Sequence, residues 1–330
     1  MKCVVIKHYG ESLDHLTVVE RPDPMPGPGE VAANVTATAL NRADLLQRRG
    51  RYPAPPALPE YLHDIPGLEF VGRIEAVGAG VTRWRGGERV FGILAGGGHA
   101  SRVVSHQDLV LPVPGNLSDT DAAAIPEAYF TAFDALVLQG GMTRGERVLI
   151  HAVASGVGTA AVQLVNAWGA TAIGTAGSVA KLNRVAGLAP FYPIDRTTTD
   201  FAEAIATEYG EDAVDIVLDV VGGSYWKSNL SVLATRGRLI LVGRLGGSEA
   251  QTPLGLLMAK RLRIVGTVMR SRSLEEKAAV TRAFEDRALP LLASGVLKPV
   301  VDSVYPLAGI REATARMERN ENVGKIVLVL

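Results

Sequence analysis

Cysteine is almost absent from this 330-residue sequence, which contains only Cys3. A single cysteine cannot form an internal disulfide or supply a multi-thiolate zinc site, and it fits a reducing compartment. The sequence also lacks a surplus of positive charge, because Lys plus Arg and Asp plus Glu both number 34. Proteins that bind nucleic acid or anionic membranes usually carry such a surplus, so neither partner is expected here, although the total charge leaves a local basic patch open.

Long apolar runs are missing as well. No run reaches the ~18 residues that a bilayer crossing needs, and the apolar stretch within residues 1–7 is too short for a secretory signal peptide. The composition, 47% hydrophobic and 21% charged, supplies packed cores and excludes a disordered, collagenous or disulfide-stapled protein. At ~150 residues per domain, the length corresponds to about two domains. We therefore expect a soluble, cytoplasmic protein of two globular domains.

The first third of the sequence is typical of antiparallel β structure with long connections. Short β-like runs at 4–6, 30–35 and 72–77 are bounded by turn residues, and a proline-rich stretch at 51–66 predicts an irregular loop. A short helix is predicted at 44–49.

The pattern changes at Ser118, which is a candidate N-cap before an alanine-rich helix. From there apolar strands alternate with helices, which indicates a parallel sheet covered on both faces. A long helix at 274–292 and a final strand at 325–330 follow. We predict a discontinuous, mostly β domain formed by 1–122 and 268–330, with a doubly wound α/β domain inserted at 123–267.

A candidate dinucleotide-binding turn lies at residues 153–158, between the strand 147–151 and the helix 158–168. In such folds this turn places a pyrophosphate on the N–H groups at the helix N-terminus. Only Gly158 of the three-glycine fingerprint is present, since Val153 and Ser155 occupy the first two positions. The pattern by itself is equally compatible with a structural turn, and its place in a βαβ unit favours the functional interpretation.

The end of the next strand indicates which cofactor is preferred. An NAD-selective site needs an acidic side chain there for the ribose 2′-OH, whereas residues 175–181 contain no carboxylate. Ser178 and Lys181 suit a 2′-phosphate instead. In the alternative interpretation Ser178 only caps a helix and Lys181 is an ordinary surface residue. We expect NADPH rather than NADH.

Ordered motifs along the whole chain carry a family resemblance. They are ALNRADL (39–45), GLE (67–69), AIPEA (124–128) with TAF (131–133), SGVGTAA (155–161), GGSYW (222–226), RSR (270–272) and GKIV (324–327). The chain resembles the zinc-free quinone oxidoreductase branch of the medium-chain dehydrogenase/reductase superfamily, and particularly the p53-inducible quinone oxidoreductase-like proteins. The resemblance implies a GroES-like catalytic domain with an inserted Rossmann domain.

Zinc-dependent relatives carry a Cys where this chain has Asn41 and a His where it has Leu68. Neither asparagine nor leucine is a usual zinc ligand, and the four-cysteine structural lobe is missing. We therefore expect a reaction that needs no metal: reductive hydride transfer to an already polarised acceptor.

The resemblance also implies which residues contact the cofactor. Thr131 would meet the nicotinamide ribose or carboxamide, and Ser155, Gly156 and Val157 would hold the diphosphate. Gly177, Ser178 and Lys181 would surround the 2′-phosphate, with Arg196 either strengthening that contact or remaining solvated. The remaining implied contacts are backbone at Val242, Gly243 and Leu245, backbone at Thr267, Met269 and Arg270, and the side chain of Asn322.

Tyr52 and Asn41 correspond to the family's substrate positions. A phenol with a pKa of ~10 stays protonated at neutral pH and can donate a hydrogen bond to a carbonyl oxygen as negative charge develops there. Tyr52 therefore either donates a proton or only positions the acceptor. We interpret Glu127 and Asp44 as structural hydrogen-bonding residues.

The sequence thus predicts an NADPH-dependent two-electron reductase of quinones, and of related enones, with the acceptor held between the two domains. An enoyl-thioester reductase and a non-catalytic NADPH-sensing or RNA-binding protein are the alternatives. Family analogy predicts a homodimer, for which the segment 262–267 could supply an edge strand that pairs with its symmetry mate.

Overall fold

A computed structural model describes all of residues 1–330 and divides the chain into two compact units. The first unit contains residues 1–130, 269–295 and 299–330, and the second contains residues 131–268 and 296–298. The sequence predicts the first crossing between the units at 122/123, whereas the compact units change at 130/131. No helix combines the length and the apolar character that crossing a membrane requires.

Fifteen strands form three sheets. In chain order they are β1 (Lys2–Ile6), β2 (Leu16–Glu20), β3 (Glu30–Ala39), β4 (Glu69–Val77), β5 (Arg89–Ile93), β6 (Arg102–His106), β7 (Val110–Pro112), β8 (Arg147–Ile150), β9 (Thr171–Ala176), β10 (Tyr192–Asp195), β11 (Val214–Asp219), β12 (Leu233–Leu241), β13 (Arg263–Gly266), β14 (Val301–Pro306) and β15 (Lys325–Val329).

Eleven α-helices connect or cover these strands. They are α1 (Arg42–Arg48), α2 (Asp119–Ala122), α3 (Pro126–Phe133), α4 (Gly156–Ala167), α5 (Val179–Ala186), α6 (Phe201–Tyr209), α7 (Trp226–Val232), α8 (Leu254–Lys260), α9 (Leu274–Arg287), α10 (Leu289–Ala293) and α11 (Ile310–Glu318).

The first unit is built on a mostly antiparallel sheet in the order β14-β15-β3-β4-β5-β7, with β6 paired to β3 and a separate β1–β2 pair. Its only parallel pair is β14–β15. The apolar face around Phe70, Ile74 and Val90 forms one core cluster. The antiparallel character predicted for the first third of the chain is confirmed.

The second unit is a six-stranded parallel sheet in the order β10-β9-β8-β11-β12-β13. Numbered within the unit, this order is 3-2-1-4-5-6, which is that of a doubly wound dinucleotide-binding fold. Its strands are nearly continuously buried, as for Val148, Leu149 and Ile150, because helices cover both faces. The predicted Rossmann fold is confirmed.

Two elements differ from the sequence-based expectation. The single helix predicted over 274–292 is wrong: α9 ends at Arg287, and α10 begins at Leu289. Pro290 explains the break, because proline lacks an N–H and its ring clashes with the carbonyl four residues earlier. The strands expected from the sequence do not include β10. This strand contains Pro193, which is tolerated there because β10 lies at the sheet edge.

Candidate active site

The carboxyl ends of the six parallel strands bring several predicted cofactor residues to one edge of the second unit. Ser155 follows β8 and caps α4, its side chain accepting a hydrogen bond from the Gly158 N–H at 3.0 Å. Gly156 and Val157 are the first two helical residues, so their N–H groups have no intrahelical partner and can bind an anion. Val242 and Gly243 follow β12 at the same edge.

Gly158 fits this arrangement for a steric reason. A Cβ added at residue 158 would lie 2.4 Å from the Ala152 carbonyl oxygen and 2.5 Å from that of Val153. Only glycine therefore lets α4 start this close to the turn that precedes it, as the third glycine of the fingerprint does. The turn fits the diphosphate of a dinucleotide even though the first two glycines are replaced.

A basic cluster lies where the 2′-phosphate of an adenosine ribose is expected. Gly177 follows β9, and the Arg196 guanidinium lies over it, with Nη2 3.1 Å from the position of an added Cβ. Ser178 caps α5 and accepts from the Lys181 N–H at 3.4 Å. Arg196 and Lys181 thus supply positive charge beside a helix N-terminus, which suits a phosphate group.

One carboxylate in this neighbourhood was missed by the sequence analysis. Asp195 accepts hydrogen bonds from the Thr197 N–H at 2.9 Å and from the Thr197 hydroxyl at 2.6 Å. Those bonds and the nearby Arg196 charge hold the pKa of Asp195 below its usual value. Asp195 therefore stays ionised, and it places one negative charge beside the positive charges of Arg196 and Lys181.

The Thr267 hydroxyl, on a residue whose backbone is predicted to line the nicotinamide, is bonded to another side chain of the second unit. It donates to Asp134 Oδ2 at 2.9 Å. Thr131 is partly exposed on α3, and Leu245 is 56% exposed in the loop after β12. These three residues belong to the second unit, whereas Met269, Arg270 and Asn322 belong to the first.

In the first unit, Asn41 is part of a buried network of charged groups. Its Nδ2 donates to Glu69 Oε1 at 2.7 Å, and its Oδ1 accepts from Lys325 Nζ at 2.5 Å. Lys325 also pairs with Glu69 at 2.7 Å, and both side chains are at most 5% exposed. Both ends of the Asn41 amide are therefore engaged, which favours a positioning role for it over direct contact with an acceptor.

Asp44 joins this network to the start of α1. It accepts from the Asn41 N–H at 2.7 Å and the Gly67 N–H at 3.0 Å, as predicted for a structural hydrogen-bonding residue. Burial raises the pKa of Asp44, but the neighbouring His99 and these N–H groups outweigh burial, so its pKa is lowered. Asp44 therefore stays ionised.

Tyr52 lies under the guanidinium of Arg270, whose Cζ is 4.6 Å from the ring centroid. Arg270 is fixed by its hydrogen bonds to backbone carbonyls, at 2.6 Å to Ala95 and 3.1 Å to Tyr52 itself. Burial, and next the Glu127 charge, raise the pKa of Tyr52 to about 12. Tyr52 is therefore a protonated, well-positioned hydrogen-bond donor at neutral pH.

Glu127 is the residue that sequence reasoning assessed incompletely. Its N–H donates to Glu69 Oε2 at 2.8 Å, so its backbone does have a structural role. Its carboxyl, however, makes no hydrogen bond or ion pair within the chain. Burial and the charge of Glu69 raise the pKa of Glu127 to about 8. The sequence contains no signal for this, because Glu69 lies 58 residues away.

The second unit contains a different buried network, centred on His151 at the end of β8. His151 Nε2 lies 2.7 Å from Asn229 Oδ1, and Asn229 Nδ2 donates to Asp219 Oδ2 at 3.0 Å. The other ring nitrogen lies 3.0 Å from the Thr175 hydroxyl. Burial lowers the pKa of His151 to about 4, so the ring is neutral and every polar atom of it is paired.

Leu68, which stands where zinc-dependent relatives have a His, is a buried core residue with 1% exposure. Nowhere in the structure do three His, Cys, Asp or Glu side chains converge in a group that could hold a metal ion. The groups around Asn41 are its own amide, the Lys325 ammonium and the carboxylates of Glu69 and Asp44. Each of them is already hydrogen-bonded within this network.

Comparison with known proteins agrees with this geometry. The model described as an alcohol dehydrogenase GroES-like domain matches residues 27–115, and that described as a zinc-binding dehydrogenase matches residues 191–328. Human quinone oxidoreductase is 32% identical over 93% of this chain and 91% of its own length.

Other similar proteins differ in what their names describe. The human synaptic vesicle membrane protein VAT-1 homolog is 32% identical over 100% of this chain and 86% of its own length. Among solved structures, the JamJ enoyl reductase has a TM-score of 0.86 and 27% identity, covering 99% of this chain and 98% of its own.

Proposed function

Since this chain belongs to the quinone oxidoreductase branch of the medium-chain dehydrogenase/reductase family, we propose that it is an NADPH-dependent, zinc-independent reductase of quinones and related enones. The observation that carries the proposal is the donor set at the position of the family's zinc. The Asn41 amide is fully bonded to Glu69 and Lys325, and Leu68 is buried. A reaction that activates an alcohol as a metal-bound alkoxide needs metal ligands, and these residues do not supply them. Reduction of a polarised acceptor needs no metal.

Family membership implies a nicotinamide cofactor, and the basic cluster supports NADPH. When bound, NADPH supplies a hydride from its nicotinamide ring. In this proposal Ser155, Gly156 and Val157 hold the diphosphate with backbone N–H groups. Arg196 and Lys181, with Ser178, bind the 2′-phosphate. Asp195 would disfavour that phosphate, but the two positive charges of Arg196 and Lys181 outnumber its one negative charge.

The remaining contacts implied by the family stay part of the proposal. Gly177 leaves room for the ribose phosphate beside Arg196, whose Nη2 a Cβ at residue 177 would approach to 3.1 Å. The other proposed contacts to the cofactor are Thr131, Val242, Gly243, Leu245, Thr267, Met269, Arg270 and Asn322.

On the acceptor side, we place the quinone beside Tyr52. Its protonated phenol would donate a hydrogen bond to the carbonyl oxygen on which negative charge develops, and Arg270 fixes the ring. Asn41 positions Glu69 and Lys325 rather than touching the acceptor. Glu127, protonated below about pH 8, is a second proton source in the same unit. Because a hydroquinone is an acidic phenol, its anion is stable, and bulk water can protonate that anion without an acid from the protein.

A homodimer is part of the proposal. Strand β13 forms one edge of the six-stranded sheet, and Ile264 on it is 37% exposed. Pairing with the same strand of a second copy would cover this edge.

The alternative within the same scaffold is an enoyl-thioester reductase. It is favoured by one specific observation, the similarity of the whole fold to the JamJ enoyl reductase. A non-catalytic NADPH sensor is the alternative from another class, and the balanced charge of the chain argues against its RNA-binding version.

These functions are separated by following NADPH oxidation with ortho-quinones, para-quinones, enones and enoyl thioesters as acceptors. The proposal predicts the highest kcat/KM for a quinone, in the presence of a metal chelator. A preference for an enoyl thioester would identify the alternative enzyme, and NADPH binding without turnover of any acceptor would identify the sensor.

A further inference from the structure

Four arginines and one glutamate line a cavity of about 490 Å³ in the second unit. They are Arg236, Arg238, Arg261, Arg263 and Glu146, and the floor includes Gly140. The cavity lies at the amino ends of the parallel strands, since Arg238 and Arg263 are opposite one another near the starts of their pairing. The dinucleotide turn follows the carboxyl ends, so the two sites are at opposite edges of the sheet.

One of the four arginines is fixed. Arg238 makes a bidentate ion pair with Glu146, at 2.8 Å and 2.9 Å, and its Nε donates to the Gly140 carbonyl at 2.9 Å. Glu146 therefore neutralises Arg238 and none of the other three arginines. The cavity keeps a net charge of about three positive units from the other arginines.

Those three arginines, Arg236, Arg261 and Arg263, make no side-chain hydrogen bond or ion pair within the chain, and Arg263 lies on β13, the edge strand at which we propose that a second copy pairs. Arg263 is also paired in register with Arg238 on the adjacent strand, and like charges in such a position repel. All three side chains are exposed, so water screens their mutual repulsion, but three like charges around one cavity attract an anion.

The backbone holds two of these arginines in an uncommon conformation. Strand β12 bulges, because Val214 pairs with Leu233 while Ile216 pairs with Arg238, so residues 234–237 stand against a single residue of β11. Within this bulge Arg236 has a φ of 68°. Arg261, at the end of α8, has a φ of 52°, where glycine is usual. Such conformations cost on the order of 1 kcal/mol each and concentrate at functional sites.

From this arrangement we propose that the cavity binds a small molecule that carries two or more phosphate groups. Arginine forks match phosphate oxygens in pairs, and three free forks exceed what one phosphate group needs. The cavity volume suits a small molecule rather than an extended chain. Binding there would be independent of NADPH, since the cofactor turn lies at the other end of the strands.

Calorimetric titration of the full-length protein with tripolyphosphate, in saturating NADPH, tests this proposal. NADPH blocks the dinucleotide turn, so the expected result is one tripolyphosphate per chain. Arg236→Gln and Arg263→Gln should each weaken that binding at least tenfold, while Arg144→Gln, an exposed arginine outside the cavity, should leave it unchanged. A parallel titration with a nucleoside triphosphate shows whether the bare phosphate chain or its nucleotide form is preferred.

Several results would overturn the proposal. The first is that tripolyphosphate does not bind under saturating NADPH. The second is that the two variants bind tripolyphosphate as tightly as the unaltered protein does, and the third is that NADPH displaces tripolyphosphate. Sedimentation of the variants supplies the remaining check: if Arg263→Gln dissociates an oligomer and tripolyphosphate has no effect, the arginines serve contact with a second copy instead.

Discussion

The two units each bury a polar network, and the networks differ in kind. In the second unit, His151, Asn229 and Asp219 form a closed set in which the histidine is neutral and both its nitrogens have partners. In the first unit, Glu69 and Lys325 are an ionised pair, and the Glu127 carboxyl beside them has no partner. A closed set around a neutral histidine holds strands in place, whereas an open, titrating carboxyl can exchange a proton.

This contrast indicates where the chemistry lies. In the second unit, the buried polar groups of this network bond to one another and fix the ends of β8, β9 and β11. Such a unit suits the binding of a cofactor. The first unit keeps a protonated phenol, Tyr52, and a carboxyl of raised pKa, Glu127, in one region. Perturbed titratable groups of this sort are typical of catalytic regions.

The largest expected effect comes from breaking the ionised network. Lys325→Met leaves the fully buried Glu69 without its counter-charge, which typically costs about 3–5 kcal/mol. Thermal unfolding should show a large drop in Tm. The double variant Glu69→Gln with Lys325→Met removes both charges and should recover much of that loss; no recovery would show that the ion pair is not what stabilises this region.

The closed network around His151 in the second unit predicts that the stability of the fold depends on pH. Because the pKa of His151 falls to about 4 in the folded protein and is ~6.5 when unfolded, only the unfolded chain binds the proton between these values. Stability is therefore full above pH 6.5 and decreases as the pH falls towards 4, by up to about 3 kcal/mol. Urea unfolding measured across this range checks the decrease.

His151→Gln should flatten that pH dependence, whereas His8→Gln, at an exposed position, should leave it as in the wild type. An unchanged slope in the His151 variant would mean that another group titrates.

A smaller effect is expected at the cofactor edge. Arg196→Ala removes one charge from the 2′-phosphate cluster and should raise the Kd for NADPH about tenfold, which corresponds to about 1.4 kcal/mol. The Kd for NADH should hardly change, and Arg144→Ala serves as the control for general charge effects. Equal weakening of both cofactors would assign Arg196 to a part of the site that the two share.

The smallest effects should appear on the acceptor side. In the wild type we expect kcat to decrease above about pH 8, where Glu127 loses its proton. Glu127→Gln has no proton to release, so this decrease should disappear, and kcat below pH 7 should be reduced only about threefold. A pH profile of Glu127→Gln that coincides with the wild type would remove this carboxyl from the mechanism.

Tyr52→Phe should raise KM for the quinone more than it lowers kcat, if the phenol positions the acceptor.

Local patterns allowed much of this molecule to be predicted. Ser118 and Ser178 were recognisable as helix caps, and the alternation of apolar strands with helices indicated the Rossmann sheet. The features that sequence reasoning missed depend on distant partners. Burial, and next the charge of the distant Glu69, raise the pKa of Glu127, and Arg270 meets Tyr52 across 218 residues of chain.

The arginine cavity was missed for the same reason. Arg238 and Arg263 are 25 positions apart in the sequence and come together only through the register of β12 and β13. A balanced total charge concealed this local surplus, because charge counts contain no information about position.

Single-turnover mixing of the purified, chelator-treated protein and NADPH with a quinone tests the central claim most directly. The account predicts rapid oxidation of NADPH, much slower oxidation of NADH at equal concentration, and no gain on adding Zn²⁺. Turnover that requires Zn²⁺, or equal rates with both nicotinamide cofactors, would contradict it.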